Sequence, residues 1–587
     1  MRKKSLGRHS AGKRAGDRAG ETAGGTDGKA GGKAGGKAGG APRRRTRRRT
    51  PAGGRRPLLV AAVAAAAALA VVAVVLAVLP GGSPDRAPGG TRDTAGDAPR
   101  VPAVALPAAP GTVPAVRQWT PEPGLGWQPG PRTRVVADPG GALADEAELL
   151  AGELDLAHSD GPAGPGDIEL VLDPEVPGER VRGSEGYELT AAFGRVTVTG
   201  RTEAGVFYGT RTLKQALRGG GRIPAGTVRD WPDRPQRGLM IDIARKHFSA
   251  AWIEDRVREM ADLKLNQLQL HLSDDQAFRV ESESHPEVVS DPHLTKAELR
   301  RIIELANSRH IAVIPEIDSP GHLDAVLDAH PGLRLRDADG DPVRGAIDIA
   351  DPRAAELVDD LLREYAPLFR DQPGDGPYWH LGGDEYLALM RSDPEAAFPE
   401  LAAAARREHG RGAGVADLAA AWLNDRAETV REAGFVPQVW NDGQHRGGEV
   451  RPSRPRQVAY WTGKEIGARP PAEYLKEGWE VVNLNDEYLY YVLGEPHQFV
   501  YPTGERIYEE WTPAVLRGSE PVPAELAEQV VGARLAVWCD LAGAQTPAQV
   551  ADGIRLPLRA LAQKVWDPQP PALQWADFRR LAGRVAP

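Results

Sequence analysis

The segment Tyr378-Trp379-His380-Leu381-Gly382-Gly383-Asp384-Glu385 is a short apolar run that ends in two glycines and two adjacent carboxylates. Seven other apolar runs of similar length lie between residues 238 and 538, and amphipathic helical stretches separate several of them. The eight predicted strands are Gly238–Ile243, Gln267–Leu272, Ile311–Ile317, Tyr378–Leu381, Val436–Trp440, Gln457–Trp461, Glu480–Leu484 and Arg534–Trp538. Eight strands alternating with helices predict an α/β fold, a (β/α)8 TIM barrel over residues 232–587. A doubly wound sheet is the alternative, but no glycine-rich phosphate loop follows the first strand.

Residues 116–231, upstream of the predicted barrel, mix strand-like and helical stretches. This order predicts a small α+β domain, and it contains no acid–base constellation. The chain has a single cysteine, Cys539, which excludes an intramolecular disulfide. Both domains must therefore be stabilised by burial of their cores.

The first 56 residues are strongly basic. They hold 18 Lys and Arg against 3 Asp and Glu, a net charge of +15; because the whole chain carries −8, the remainder carries −23. The segment has almost no large apolar residues, which predicts a disordered tail. The acidic remainder argues against nucleic acid as a partner, since phosphate binding needs clustered Lys and Arg.

An unbroken apolar run, Leu58–Leu79, follows the basic tail. About 20 such residues span a bilayer as a helix, so residues 57–80 are predicted to form a transmembrane anchor. The positive-inside rule places the tail in the cytoplasm and the globular body outside the cell membrane. A cleaved signal peptide, giving a secreted protein, is the alternative; the length of the run and the lack of a small-residue cleavage site favour the anchor. Residues 81–115, rich in Pro, Ala and Gly, read as a linker.

Polar residues gather at the carboxyl ends of the predicted strands, where a barrel carries its active site. They are Arg245, Asp274, Asp275, Asp318, His322, Asp384, Glu385, Trp440, Asp442, Trp461, Tyr488, Tyr490, Trp538 and Asp540. Tryptophan faces stack on sugar rings, while Asp and Arg bind hydroxyl groups by directed hydrogen bonds. This mixture of side chains indicates glycoside cleavage.

The adjacent carboxyls Asp384 and Glu385 indicate the type of cleavage. Glu385 is the predicted acid, because a neighbouring Asp and partial desolvation raise the pKa of a carboxyl. Two neighbouring carboxyls do not readily flank both faces of a sugar, as ordinary retaining or inverting pairs do. The spacing therefore favours substrate assistance, in which the 2-acetamido oxygen of the sugar attacks the anomeric carbon.

Four motifs resemble those of family 20 glycoside hydrolases, the β-N-acetylhexosaminidases. They are Asp242-Ile243-Ala244-Arg245, His271-Leu272-Ser273-Asp274-Asp275-Gln276, Pro315-Glu316-Ile317-Asp318-Ser319-Pro320-Gly321-His322 and His380-Leu381-Gly382-Gly383-Asp384-Glu385. The resemblance covers roughly residues 116–566, and it implies hydrolysis of terminal β-linked GlcNAc or GalNAc in glycans through an oxazolinium intermediate, with no metal or organic cofactor.

The resemblance also implies roles for individual residues. Glu385 would be the general acid and then base, Asp384 would hold the acetamido group, and Tyr488 would hydrogen-bond the acetamido oxygen. Arg245 would bind ring hydroxyls. The remaining implied roles are a wall around the acetamido methyl group and the ring (Trp440, Trp461, Trp538), and a pair that orients the acid (Asp274, His322).

One departure from the family pattern leaves two matters open. Many members carry Asp or Asn two residues after the tyrosine that follows the seventh strand, where this chain has Tyr490; Asp540 is predicted to supply the missing carboxylate. Either Tyr488 or Tyr490 could meet the acetamido oxygen. A lacto-N-biosidase that releases a disaccharide is an alternative, although the lacto-N-biosidase pattern lacks the arginine found here at Arg245.

Two further alternatives come from other classes. A carbohydrate-binding surface protein on an inactive barrel is disfavoured by the intact Asp384–Glu385 pair. A metal-dependent barrel hydrolase would need a His-x-His or similar ligand cluster after the first strand. Asp242-Ile243-Ala244-Arg245 provides none.

Overall fold

The computed structural model describes residues 106–586 apart from 139–140, 179–182, 375, 446–447 and 466. No helix within this part of the chain is long and apolar enough to cross a membrane. The predicted tail, the apolar run 58–79 and residues 81–105 of the predicted linker lie outside the described residues, so the anchor stays a prediction.

The first domain is a seven-stranded sheet with two helices. Its strands follow the order β1-β7-β5-β6-β4-β2-β3, with antiparallel pairing from β1 to β6 and parallel pairing from β6 to β3. The elements are β1 Gln118–Pro121, β2 Arg134–Ala137, α1 Ala144–Leu154, β3 Ala157–Asp160, β4 Ile168–Leu172, β5 Tyr187–Ala192, β6 Arg195–Gly200, α2 Glu203–Gly220 and β7 Gly226–Asp230. Strands β5 and β6 alternate buried and half-buried residues, as strands with one covered face do.

The second domain contains the predicted barrel. Its strands and small hairpins are β8 Gln236–Asp242, β9 Gln267–His271, β10 Ser273–Asp274, β11 Ala277–Phe278, β12 Ala312–Glu316, β13 Arg334–Arg336, β14 Pro342–Ile347, β15 Tyr378–His380, β16 Val436–Trp440, β17 Gln457–Tyr460, β18 Glu480–Asn483, β19 Tyr490–Val492 and β20 Val530–Trp538. Eight parallel strands close a ring in the order β8-β9-β12-β15-β16-β17-β18-β20, and β20 pairs again with β8. The eight predicted runs match these eight strands, so the prediction of a barrel preceded by a smaller domain is confirmed.

Helices surround the barrel. They are α3 Ala250–Asp262, α4 Lys296–Asn307, α5 Asp324–Ala329, α6 Pro352–Phe369, α7 Pro394–Ala397, α8 Pro399–His409, α9 Val415–Glu432, α10 Pro471–Lys476, α11 Gly504–Glu510, α12 Pro547–Trp566 and α13 Trp575–Val585. Helix α4 illustrates the sequence signal: Thr295 and Glu298 form a reciprocal capping box, and Leu299, Ile302 and Ala306 form its buried stripe.

The barrel interior is filled by polar layers. Arg534 is fully buried and donates to the side-chain oxygens of Gln267 and Gln269 at 2.7 Å and of Gln438 at 3.1 Å. Burial lowers the pKa of Arg534 to about 10. Nearer the carboxyl ends of the strands, the buried Glu316 forms hydrogen bonds with side chains of neighbouring strands. These bonds connect the strands beneath the active-site loops.

Candidate active site

The carboxyl pair follows β15 on a turn that needs glycine. Gly382 has φ 69°, and a Cβ there would lie 1.7 Å from Oδ1 of Asp318. Gly383 also has a positive φ, and its backbone N–H donates to the same Asp318 oxygen at 2.9 Å. The glycines let the chain pass directly over Asp318. The turn thereby places Asp384 and Glu385 in the pocket.

Glu385 itself is held in the left-handed region at φ 48°. Such a conformation costs of the order of 1 kcal/mol for a residue other than glycine and persists where its surroundings impose it. Here the backbone N–H of Glu385 donates to Oδ2 of Asp442 at 3.2 Å. His322, at the adjacent strand end, is also left-handed at φ 56°. The two conformations bring both side chains to one pocket.

That pocket is a cavity of about 250 Å³ at the carboxyl ends of the barrel strands. Eight predicted site residues line it: Arg245, His322, Asp384, Glu385, Trp461, Tyr490, Trp538 and Asp540. A larger cavity of about 510 Å³ lies where the small domain meets the amino ends of the barrel strands, around Glu185, Gln236 and Asn266. It contains none of the predicted site residues, so the smaller cavity is the candidate active site.

His322 connects the carboxyl pair to Asp274. Its Nδ1 lies 3.3 Å from Oδ1 of Asp274, and its Nε2 lies 3.6 Å from Oδ2 of Asp384 and from Oε2 of Glu385. Burial alone would lower the pKa of His322, but the charges of Asp274 and Asp384 raise it well above its usual value. These charges favour the protonated, cationic form of His322, which faces both carboxylates of the pair.

Arg245 holds the opposite end of the same network. Its Nη2 lies 2.8 Å from Oδ2 of Asp274 and its Nη1 3.2 Å from Oδ2 of Asp242. Its guanidinium carbon lies 5.1 Å from the centre of the Trp538 ring. Although burial acts to lower the pKa of Arg245, the charges of Asp274, Asp242 and Asp540 raise it. Arg245 thus presents a fixed positive charge to the pocket.

The aromatic wall consists of Trp461, Tyr490 and Trp538. Trp461 and Tyr490 are parallel, with ring centres 5.7 Å apart, and Trp538 lies 6.0 Å from Tyr490. Trp461 is fixed by its Nε1, which donates to Oδ1 of Asp442 at 2.8 Å. Such a box offers flat apolar faces to a sugar ring and to a methyl group.

Trp440, also predicted for this wall, packs with these aromatic residues but does not line the cavity. Trp440 is fully buried beneath the pocket, and its Nε1 donates to Oε1 of Glu316 at 2.8 Å. Its ring packs against Trp538 at 5.8 Å. Glu316 also contacts His271 and His380, each at 3.2 Å. Trp440 therefore supports Trp538 from below.

The structure places the two tyrosines differently. Tyr490 lines the pocket, whereas Tyr488 packs in the main core with the guanidinium of Arg506 4.0 Å from its ring centre. The reason is a turn: the backbone N–H of Tyr488 donates to Oδ1 of Asn485 and that of Leu489 to the Asn485 carbonyl, both at 3.0 Å. The strand begins only at Tyr490, so the structure favours Tyr490 over Tyr488 as the tyrosine of the pocket.

Four lining residues escaped the sequence reasoning: Glu465, Val492, His497 and Phe499. Three of them, Val492, His497 and Phe499, lie at the end of β19 or in the loop after it. Strand β19 is an extra short strand that pairs with β20 outside the eight-strand ring. Beyond β19 the loop has left-handed residues at Glu495, His497 and Gln498. A loop of this kind has no hydrophobic period, and no signal in the sequence identifies its members as pocket residues.

The electrostatics favour a protonated Glu385. Burial raises its pKa, His322 opposes that rise, and the charges of Asp384 and Glu465 add to it. Burial also raises the pKa of Asp540, against the effect of Arg245. A carboxylic acid that keeps its proton near neutral pH is suited to protonating a leaving group.

The same residues include a possible set of metal donors. Ligand atoms of Asp318, His322 and Asp384 lie within 4.8 Å of one another. Burial and the charge of Asp384 raise the pKa of Asp318 well above its usual value, which favours the protonated form of Asp318. The expectation that the reaction uses no metal and no organic cofactor stays a prediction.

An acid in a sugar-sized pocket with aromatic walls, at the carboxyl end of a TIM barrel, defines a glycosidase. Residues 235–569 match the family described as glycosyl hydrolase family 20, catalytic domain, and residues 109–231 match domain 2 of the same family. The chain belongs to glycosyl hydrolase family 20. The resemblance to the β-N-acetylhexosaminidases of this family is confirmed, and the protein is a glycoside hydrolase.

Individual relatives agree with this assignment. A lacto-N-biosidase of Bifidobacterium bifidum is 30% identical over 80% of this chain, which spans only 41% of that protein. A β-N-acetylhexosaminidase of Cellulomonas fimi is 29% identical over 76% of this chain and 85% of that protein. Among solved structures, the β-N-acetylhexosaminidase from Streptomyces coelicolor A3(2) has the same fold, with a TM-score of 0.64 at 24% identity over 82% of this chain and 96% of that chain.

Proposed function

We propose that the protein is an exo-acting β-N-acetylhexosaminidase that removes terminal GlcNAc or GalNAc by a retaining, substrate-assisted mechanism. The main support is that Asp384 and Glu385 enter one small pocket and both approach the same nitrogen of His322 at 3.6 Å. Together with their adjacency in the chain, this shared contact favours placing the two carboxyls on one side of a bound sugar. An ordinary retaining pair needs its carboxyls on opposite sides of the scissile bond.

The proposed reaction uses the acetamido group as nucleophile. Its carbonyl oxygen attacks the anomeric carbon while Glu385 gives its proton to the glycosidic oxygen, and the aglycone leaves. Asp384 accepts a hydrogen bond from the acetamido nitrogen as that nitrogen gains positive charge. Glu385, now ionised, takes a proton from water, which opens the oxazolinium ring with net retention.

Tyr490 is proposed to donate its hydroxyl proton to the acetamido oxygen. Burial raises the pKa of Tyr490 well above its usual value, so the hydroxyl stays protonated throughout the working pH range. Trp461 and Trp538 would enclose the methyl group. The box would thereby hold the acetamido oxygen close to the anomeric carbon.

A lacto-N-biosidase activity is the second candidate, and the similarity to the Bifidobacterium enzyme favours it. Release of a disaccharide requires space beyond the ring hydroxyls of the GlcNAc unit. Arg245 is fixed by Asp242 and Asp274 where the resemblance places those hydroxyls. A guanidinium there binds free hydroxyls and leaves less room for a further sugar, which favours a monosaccharide product.

Two aryl substrates distinguish the candidates. We expect the purified full chain to hydrolyse an aryl β-GlcNAc glycoside. Release of the phenol from the aryl glycoside of the disaccharide Gal-β-1,3-GlcNAc should be at least ~100-fold slower. Faster release from the disaccharide would establish the second candidate. Binding of N-acetylhexosamines without turnover of either substrate would indicate the non-catalytic carbohydrate-binding protein.

We also propose, from the sequence alone, that the apolar run 58–79 anchors the enzyme in the cell membrane with its catalytic domain outside. Protease added to intact cells should then remove the activity from the membrane fraction. Activity that is protected from protease, or found in the soluble fraction of the cells, would contradict this placement.

A further inference from the structure

Two histidines and a glutamate connect two loops that follow barrel strands. His285 precedes the short 3-10 turn Pro286–Val288, which contains Glu287, in the loop between β9 and α4. His330 directly follows α5, in the loop between β12 and α6. Three groups of potential metal donors occur in the described part of the chain, and this is the one that shares no residue with the active-site network.

The donor atoms converge on one point. Oε1 of Glu287 lies 3.1 Å from Nδ1 of His285 and 2.9 Å from Nε2 of His330, and all three atoms lie within 4.8 Å of one another. In a tetrahedral zinc site, ligand atoms about 2.0–2.2 Å from the metal lie roughly 3.3–3.5 Å apart. The two glutamate–histidine distances are a few tenths of an ångström shorter than this spacing, and the histidine nitrogens lie within 4.8 Å of each other, so small side-chain movements would form the site. Glu287, with 44% of its side chain exposed, can make that adjustment.

The second nitrogen of His285 provides an independent observation. Its Nε2 is buried and has no hydrogen-bond partner, and Oδ2 of Asp360 lies 3.7 Å away. If Nδ1 of His285 donates to Glu287, the lone pair of Nε2 faces this carboxylate. If Nδ1 instead binds a cation, the ring proton moves to Nε2 and points at Asp360. A metal-binding histidine commonly has a carboxylate behind it in this way.

The surroundings suit a divalent cation. A cavity of about 410 Å³ borders the cluster, lined by both histidines, Glu356 and Asp360, and it has room for water to complete the coordination. Arg353, also at this cavity, is paired with Asp351 at 3.1 Å, so its positive charge is compensated. Imidazole ligands select first-row transition metals over Ca²⁺ and Mg²⁺.

We propose that His285, Glu287 and His330 bind a first-row divalent cation of the zinc type, with Asp360 orienting His285. The metal would link the two loops that carry Asp274 and His322. These two active-site residues meet at 3.3 Å, and each lies about ten positions before a metal ligand in its loop. The cation is structural and takes no part in bond cleavage.

Calorimetric titration of the chelator-treated full chain with ZnCl₂ tests the site. We expect one equivalent that is lost, with affinity at least ~100-fold weaker, in His285→Gln and His330→Gln. Asp360→Asn should weaken binding by about 10-fold, as removal of an outer-sphere partner does. CaCl₂ should give no comparable heat. His293→Gln is the matched control, since His293 pairs with Asp291 at 3.2 Å in an exposed pair without a third ligand.

Either of two titration results overturns the proposal. One is no zinc binding by the wild-type chain; the other is equal binding by the wild-type chain and His330→Gln, which would assign the zinc to other donors.

Glutamine keeps a hydrogen-bond donor for Glu287, so the metal-free variants should unfold at the wild-type temperature. If a histidine substitution does disturb folding, Glu287→Gln tests the same site. Added zinc should raise the unfolding temperature of the wild-type chain and the His293→Gln control, and a rise of equal size in His330→Gln would again overturn the proposal.

Discussion

Replacing Arg245 by methionine should lower the free energy of unfolding, because its charge compensates buried carboxylates of the active site. Methionine keeps much of the length of the side chain and removes its charge, leaving Asp274 and Asp242, both almost fully buried, without the guanidinium at 2.8 and 3.2 Å. Breaking a buried ion pair by removing one partner typically costs 3–5 kcal/mol. Asp274 keeps His271 at 2.7 Å, so we expect the low end, about 3 kcal/mol.

The loss of stability in the Arg245 variant should depend on pH, and the direction follows from the pKa of Asp274. Burial acts to raise the pKa of Asp274, but Arg245 and His322 hold it well below its usual value. Stabilisation from a depressed carboxyl pKa is present above the unfolded value of about 3.9 and is lost as the pH falls through the folded value. Without Arg245 the folded pKa rises. The deficit of the variant should therefore be complete at pH 7 and should narrow as the pH falls into the acid range.

Thermal unfolding at pH 7, 5.5 and 4 measures the deficit. A loss of about 3 kcal/mol corresponds to roughly 5 °C for a domain of this size. Arg258→Met is the matched control, because Arg258 is half exposed and pairs with Asp255 and Glu254 on the surface of α3, where such pairs contribute about 0.5 kcal/mol or less. Equal effects of the two substitutions, or a deficit that does not change with pH, would refute the reasoning.

Three further substitutions, and Tyr488→Phe as a control, test the proposed chemistry. Glu465→Gln removes a negative charge that raises the pKa of Glu385, so the alkaline limb of kcat/KM should move to lower pH by about half a unit; an unchanged or raised limb would exclude this coupling. Tyr490→Phe should lower kcat/KM by roughly 10²-fold while Tyr488→Phe changes it less than about twofold, and the reverse order would restore Tyr488 to the site. Asp384→Asn should lower kcat by roughly 10²-fold and weaken inhibition by a thiazoline mimic of the cyclised intermediate about 10-fold or more; undiminished inhibition would argue against substrate assistance.

The barrel and much of its pocket could be predicted because their signals are local. Each barrel strand is a short apolar run, and the carboxyl ends of parallel strands meet at one face, so Arg245, His322 and Glu385 could be placed together before any coordinates. The two glycines that end the fourth predicted strand could be read from the sequence, and the structure gives the reason for Gly382 in the close approach of Asp318.

The rest depended on information that is not local. Trp440 and Trp538 both end barrel strands, and only the packing shows that Trp538 faces the pocket while Trp440 lies beneath it on Glu316. Tyr488 was predicted to reach the pocket but packs in the main core, because a turn at Asn485 interrupts the alternation that a continuous strand would have. Phe499 lies on a loop whose left-handed residues leave no pattern in the sequence.

The most direct test of the account is hydrolysis of an aryl β-GlcNAc glycoside by the wild-type full chain and by Glu385→Gln. Glutamine has nearly the same shape as glutamate and cannot give up a proton, so the variant should fold normally, bind the sugar and lose at least about 10³-fold in kcat. That result would support Glu385 as the acid of a β-N-acetylhexosaminidase. Near-normal turnover by the folded variant, or no turnover by the wild-type chain, would contradict it.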